Sequence, residues 1–197
     1  MPMSKLCIPM MLAMKLALTT PLYGQNLGLS LSTSAGQRQI RWTDDRLNTS
    51  THLEGLTYEF FLSQNVIFPW LFYGLGSSLS YLHSEDRQHM AQGTQSFLRV
   101  GSGFYPMRNL LGELALQYQA LGALRVTEFP VDGEPRIQDL DIRGMKLVAT
   151  LEWTGDMGIG ILSGIQMETS NLVISESQDQ MQLAMDRQIF FGGKMRW

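Results

Sequence analysis

The chain has 197 residues, of which 44% are apolar and 17% charged, with a formal net charge of −3. A soluble domain usually carries roughly 25% charged residues, so a soluble enzyme fits poorly, and a net-acidic chain of this kind is no general nucleic-acid binder. No run approaches the ~18 apolar residues of a membrane-spanning helix, the 19 glycines follow no collagen-like period, and one cysteine cannot build a disulfide scaffold.

Residues 1–24, MPMSKLCIPMMLAMKLALTTPLYG, hold five of the 13 methionines and no acidic residue. Lys5 supplies a positive start and Leu6 to Met14 a short apolar stretch, the arrangement of a secretory signal peptide. Cleavage falls after Gly24, with Leu22 at −3, or after Thr19, with Ala17 at −3; Lys15 interrupts the apolar stretch. The alternative for this segment is a buried amphipathic N-terminal helix. A cut after Gly24 leaves 173 residues, 13 basic against 18 acidic, with net charge −5. It also removes Cys7, so the mature chain has no thiol to mispair in an oxidising compartment.

From residue 26 onward apolar residues recur with period two, the mark of strands with one apolar face. Eight such runs follow, at 26–42, 52–63, 71–84, 96–106, 110–126, 143–154, 158–169 and 183–197. Most exceed the usual strand of about 5–6 residues and reach the 9–11 that a tilted transmembrane strand requires. One parity carries large apolar side chains: Leu56, Tyr58, Phe60 and Leu62 in the second run, Leu110, Leu114, Leu116, Tyr118, Leu124 and Val126 in the fifth. The other is small or polar: Gly28, Ser30, Ser32 and Ser34, then Gly74, Gly76, Ser78 and Ser80, whose glycines leave room for inward neighbours.

An apolar face on all eight runs, with no helix to cover it, calls for a closed barrel whose apolar parity meets lipid. The links alternate in length. Short turns are expected at 64–70, 107–109 and 155–156, and long polar loops at 43–51, 85–95, 127–142 and 170–182, as periplasmic turns and outer loops do. Trp70, Phe104, Tyr105, Trp153 and Trp197 mark one interface and Trp42 and Tyr81 the other. The soluble alternative, a lipocalin-like barrel, puts the apolar parity inside.

The chain closes on Phe190-Phe191-Gly192-Gly193-Lys194-Met195-Arg196-Trp197. With Phe191, Gly193, Met195 and Trp197 on one parity, this resembles the C-terminal assembly signal of bacterial outer-membrane barrels, with Trp197 in place of the commoner Phe. Over residues 26–197 the pattern resembles the small eight-stranded OmpA/OmpX-type barrels. The resemblance implies an all-β, eight-stranded antiparallel transmembrane barrel at 25–197 behind a leader at 1–24, in the outer membrane of a Gram-negative envelope. It also implies outer-membrane lipid and lipopolysaccharide as surroundings, the outer-membrane assembly machinery as a partner, and a monomer. No cofactor motif and no nucleic-acid partner are expected.

An eight-stranded barrel is just wide enough to be filled by its own side chains. Inward carboxylates Glu59, Glu113, Glu152, Glu168 and Asp186 face inward cations Arg99, Arg125, Lys146, Lys194 and Arg196, so a lumen plugged by ion pairs is expected. Glu113 is expected to pair with Arg99 and Lys146 where their depths match. Phe61, Phe72, Leu82, Leu111, Leu121, Leu162 and Phe190 share the inward parity, as packing or as an apolar pocket. His52, His83 and His89 fall near the outer rim, with Ser84, Glu85 and Asp86 beside His83. Hydrolysis needs nucleophile, base and orienting group in reach of one another, and no catalytic set is assigned. Glu128, Asp132, Glu134, Asp139 and Asp141 are the weak candidates for a loop cation site. The leading function is envelope integrity or surface interaction. A narrow channel or a carrier of small apolar molecules comes second, and a lipid-modifying enzyme third.

Overall fold

A computed structural model describes residues 28–44, 49–67, 70–130, 133–155, 159–175 and 180–197. The expected leader and Asp132 lie outside the described residues, and Trp42 and Glu168 are described by backbone alone. The strands are β1 (Leu29–Asp44), β2 (Thr49–Ile67), β3 (Leu71–His83), β4 (His89–Met107), β5 (Leu110–Glu128), β6 (Arg136–Thr154), β7 (Ile159–Ser175) and β8 (Gln180–Arg196). Each pairs antiparallel with the next, and β8 closes on β1, from Ser30 opposite Arg196 to Thr43 opposite Gln182. The Trp197 N–H donates to the Leu29 carbonyl at 3.0 Å and finishes the seam. Closure leaves no unpaired edge, which is the condition for a sheet to cross lipid.

The period-two reading gives the two faces directly. Along β3, Leu71, Tyr73, Leu75 and Tyr81 are exposed while Phe72, Gly74, Ser78, Ser80 and Leu82 are buried. The outward apolar parity recurs around the barrel at Leu31, Phe60, Leu98, Leu116, Leu147, Ile161 and Ile189. Only lipid makes such a surface stable, since soluble monomers rarely expose contiguous apolar patches beyond a few hundred Å². The lipocalin-like arrangement, with this parity inside, is excluded. Trp70, Phe104, Tyr105, Trp153 and Trp197 are all exposed at the end where β1 begins and β8 finishes.

Connections at that end span three, two and four residues, and those at the other end four, five, seven and four. The end with the shorter connections is therefore periplasmic. The outer connections are shorter than the sequence pattern indicates, because strands continue through much of 85–95, 127–142 and 170–182. A strand rising about 3.3 Å per residue and tilted about 40° crosses the ~25 Å apolar band in about ten residues. Strands of up to 19 residues therefore stand well clear of it on the outer side.

The outer part of β5 faces the other way from the sequence expectation. Pairing with β6 jumps from Gln119 opposite Gly144 to Leu124 opposite Leu140. Five steps on β5 thus match four on β6, so β5 holds one extra residue, and a bulge of this kind exchanges inside and outside beyond it. Leu124 and Val126, expected to face lipid, are buried at 0% and 5%, whereas Leu121, expected inside, is 68% exposed.

Inside, phenylalanines lie against bare backbone of the neighbouring strand. Phe97 sits over Gly76, Phe61 over Gly74, Phe72 over Gly101 and Phe190 over Gly164. A Cβ on Gly76 would fall 2.3 Å from the Phe97 ring and 2.7 Å from the Phe60 carbonyl oxygen. Gly76→Ala is therefore expected to lower stability by about 1–3 kcal/mol through overpacking, read as a lower urea midpoint of the folded barrel. An unchanged midpoint would show that Phe97 has room to withdraw.

Candidate functional site

The lumen is built in layers. At the periplasmic end Lys194 of β8 binds Glu113 of β5, which also accepts the Thr150 hydroxyl at 3.0 Å. Arg196 binds Glu152 of β6, and Lys194 lies 3.5 Å from the same carboxylate. In the middle Arg99 of β4 lies 3.3 Å from Glu59 of β2 and donates to Gln117. Its guanidinium lies 4.5 Å from the Phe61 ring centroid and 5.0 Å from that of Phe97, a cation–π arrangement in a buried site. Glu59 is completed by the Gln166 amide at 2.7 and 2.8 Å.

The next layer outward is the most buried. Asp186 of β8 accepts from Arg38 Nε at 2.9 Å and Nη2 at 2.6 Å, and from Lys146 Nζ at 2.7 Å. The remaining Arg38 nitrogen donates to Ser80 at 3.0 Å and to Gln95 at 2.8 Å. Arg38, Lys146 and Asp186 are at most 2% exposed. Above them Ile40, Leu53, Leu82, Ala91, Leu124, Val126 and Leu140 form an apolar layer that seals the outer mouth.

The structure thus brings Glu59 together with Arg99, Glu113 and Glu152 with Lys194 and Arg196, and Lys146 with Asp186. It does not bring Arg99 or Lys146 to Glu113. Glu113 stands opposite Thr150 on β6, four residues nearer the periplasm than Lys146, so their depths differ. Arg125 is corrected from lumen to outer wall. It lies beyond the β5 bulge, faces outward and binds Asp139 at 2.8 Å. Arg38, the hub of the deepest layer, is absent from the expected set. Its signal was the inward parity of Ser30, Ser32 and Ser34 carried on through Gly36 and Arg38 to Ile40. Of the inward apolar set, Phe61, Phe72, Leu162 and Phe190 pack into one cluster with Phe97, Ala115 and Val148. Leu82 joins the outer layer, Leu111 is buried, and Leu121 faces out.

At the outer rim Ser84 donates its hydroxyl to Asp86 and accepts the His89 backbone N–H at 2.9 Å. The Asp86 carboxyl is held below the usual carboxylate range by the Ser84 hydroxyl and the Gln88 N–H. This is a tight turn at the head of the β3–β4 hairpin, in which His89 takes part through its backbone. The acidic residues expected in one loop are dispersed. Glu128 ends β5, whereas Asp139 and Asp141 lie on β6, bound to Arg125 and to Arg143 at 2.8 Å each. Among the described residues no group of three or more metal-binding side chains converges. Phe191, Gly193, Met195 and Trp197 share the lipid-facing side of β8, where the three large side chains are exposed.

A closed eight-stranded antiparallel barrel, apolar outside and ion-paired within, defines a small bacterial outer-membrane β-barrel protein. No protein-family model and no curated protein matches the sequence. Among solved structures the chain is similar to neisserial surface protein A, NspA, with a TM-score of 0.56 and 7% identity over 86% of this chain and 97% of that one. Ail, the attachment invasion locus protein of Yersinia pestis, gives 0.42 and 14% over 85% and 98%. A major outer membrane protein from Thermus thermophilus gives 0.45 and 8% over 84% and 99%. At 7% identity the likeness to NspA is one of fold.

Proposed function

We propose that this protein is a closed, non-conducting barrel with a structural or surface-interaction role in the outer membrane, and that residues 1–24 are the leader removed on export. In this reading Phe191, Gly193, Met195 and Trp197 carry the strand that the assembly machinery engages. The filled lumen is the observation that supports the closed reading. The central cavity, between the Arg99–Glu59 and Lys194–Glu113 pairs, measures about 20 Å³, room for a single water. An apolar layer buried to within a few per cent stands between the deepest ion pairs and the outer mouth. Ions would have to break both, whereas porins of 16–18 strands leave an aqueous channel.

The purified barrel in planar bilayers is expected to give no unitary current steps at either polarity. Reproducible steps that disappear when the protein is omitted would overturn the closed reading and make a narrow channel the leading one. N-terminal sequencing of the membrane-embedded protein is expected to begin at Gln25; a retained leader would remove that part of the proposal.

A further inference from the structure

We propose that Arg41 and Arg187 form a binding site on the outer wall for a phosphorylated lipid of the outer leaflet, the lipid A phosphate. Gln39 of β1 stands opposite Arg187 of β8, and Arg41 opposite Met185. The two arginines are therefore diagonal neighbours on one face, roughly 7–8 Å apart at the backbone, and both are exposed. Side chains of that length reach a common point between them, where two planar forks match a phosphate.

The height is right for a headgroup. Arg187 stands ten residues above Trp197 on β8, and about ten residues carry a tilted strand through the ~25 Å apolar band. Directly below it on the same face are Ile189 and Phe191, 58% and 65% exposed. Arg125 and Arg143, which also face outward on the strand walls, are bound to Asp139 and Asp141. Arg41 and Arg187 have no ion-pair partner among the described residues. Their flanking titratable neighbours are His52, opposite Arg41, and Glu54, opposite Gln39.

Beneath the pair the apolar belt dips. Thr33 and Ala35 of β1 are small, and the register places them between Phe60 and Tyr58 on β2 and Gly193 and Phe191 on β8. An acyl chain laid in this furrow ends its headgroup at the guanidinium pair, so polar and apolar parts belong to one amphipathic ligand.

The test uses the folded full-length barrel in detergent micelles and compares lipid A, fully dephosphorylated lipid A and inorganic phosphate by native mass spectrometry. Lipid A is expected to bind at least about tenfold more tightly than its dephosphorylated form, a difference set by charge-assisted hydrogen bonds. Arg41→Ala/Arg187→Ala is expected to abolish that preference, and Arg125→Ala to leave it intact. Unboiled gel mobility checks folding, and if the alanine pair does not fold, Arg41→Gln/Arg187→Gln reads the same loss. Equal binding of the two lipids, a neutralised pair that keeps the preference, or displacement of lipid A by an equal concentration of inorganic phosphate would each overturn the proposal.

Discussion

Asp186→Asn is expected to cost about 3–5 kcal/mol, the range for removing one partner of a buried ion pair. The carboxylate accepts from Arg38 twice and from Lys146 once, and all three side chains are sealed from solvent. An asparagine keeps the volume but removes the charge, and its amide hydrogens would face two cations. Arg38 and Lys146 would then repel each other in a medium of low dielectric. The readout is the urea midpoint of the barrel folded in lipid vesicles, followed by tryptophan fluorescence and by unboiled gel mobility. Asp141→Asn is the comparison, because its pair with Arg143 is half-exposed on the outer wall and should contribute no more than about 1 kcal/mol. Replacing all three groups together, Arg38→Met/Lys146→Met/Asp186→Leu, should recover most of the loss, since it leaves no charge unpaired. A loss below about 1 kcal/mol for Asp186→Asn would mean that the three groups do not hold the lumen together.

That hub also marks where the sequence stops being readable. In the membrane band, lipid demands apolar residues on one parity of every strand, so eight alternating runs leave a closed barrel as the solution. Beyond the band the outward face meets water and alternation fades while the backbone ladder continues. His89 to Gln95 and Arg136 to Ile142 therefore read as loop but form strand. On β1 the outward partners Ala35, Gln37 and Gln39 are small or polar, so no contrast in hydropathy marked Arg38 as an inward residue. The single extra residue at the β5 bulge leaves no mark in composition, yet it moves Arg125 to the outer wall and Leu124 to the lumen. Ion-pair partners were hidden for a different reason. Adjacent strands are known from chain order, but depth depends on register, and four residues of stagger separate Lys146 from Glu113.

Leu116→Arg separates a lipid-facing wall from a water-facing one. Leu116 lies on β5 between Val100 of β4 and Leu147 of β6, and all three face outward, Leu116 at 53% exposure. It is six residues above Leu110, near the middle of the band. A guanidinium there must leave water for hydrocarbon, which costs about 2–4 kcal/mol in outer-membrane barrels. Leu121→Arg, five residues higher on the same strand and also outward, should cost about 0–1 kcal/mol, because depth sets the penalty. Both are read as shifts in the urea midpoint in vesicles of phospholipid. The ordering of the two carries the information: a barrel bathed in water would tolerate both equally, because an exposed leucine replaced by arginine there loses nothing but its own contacts. Repeating the pair in vesicles of shorter acyl chains should shrink the Leu116→Arg penalty, since a thinner band brings that position nearer the headgroups. Equal and small effects at both positions would remove the outward parity of β5 from the lipid and with it the membrane-spanning assignment of the belt.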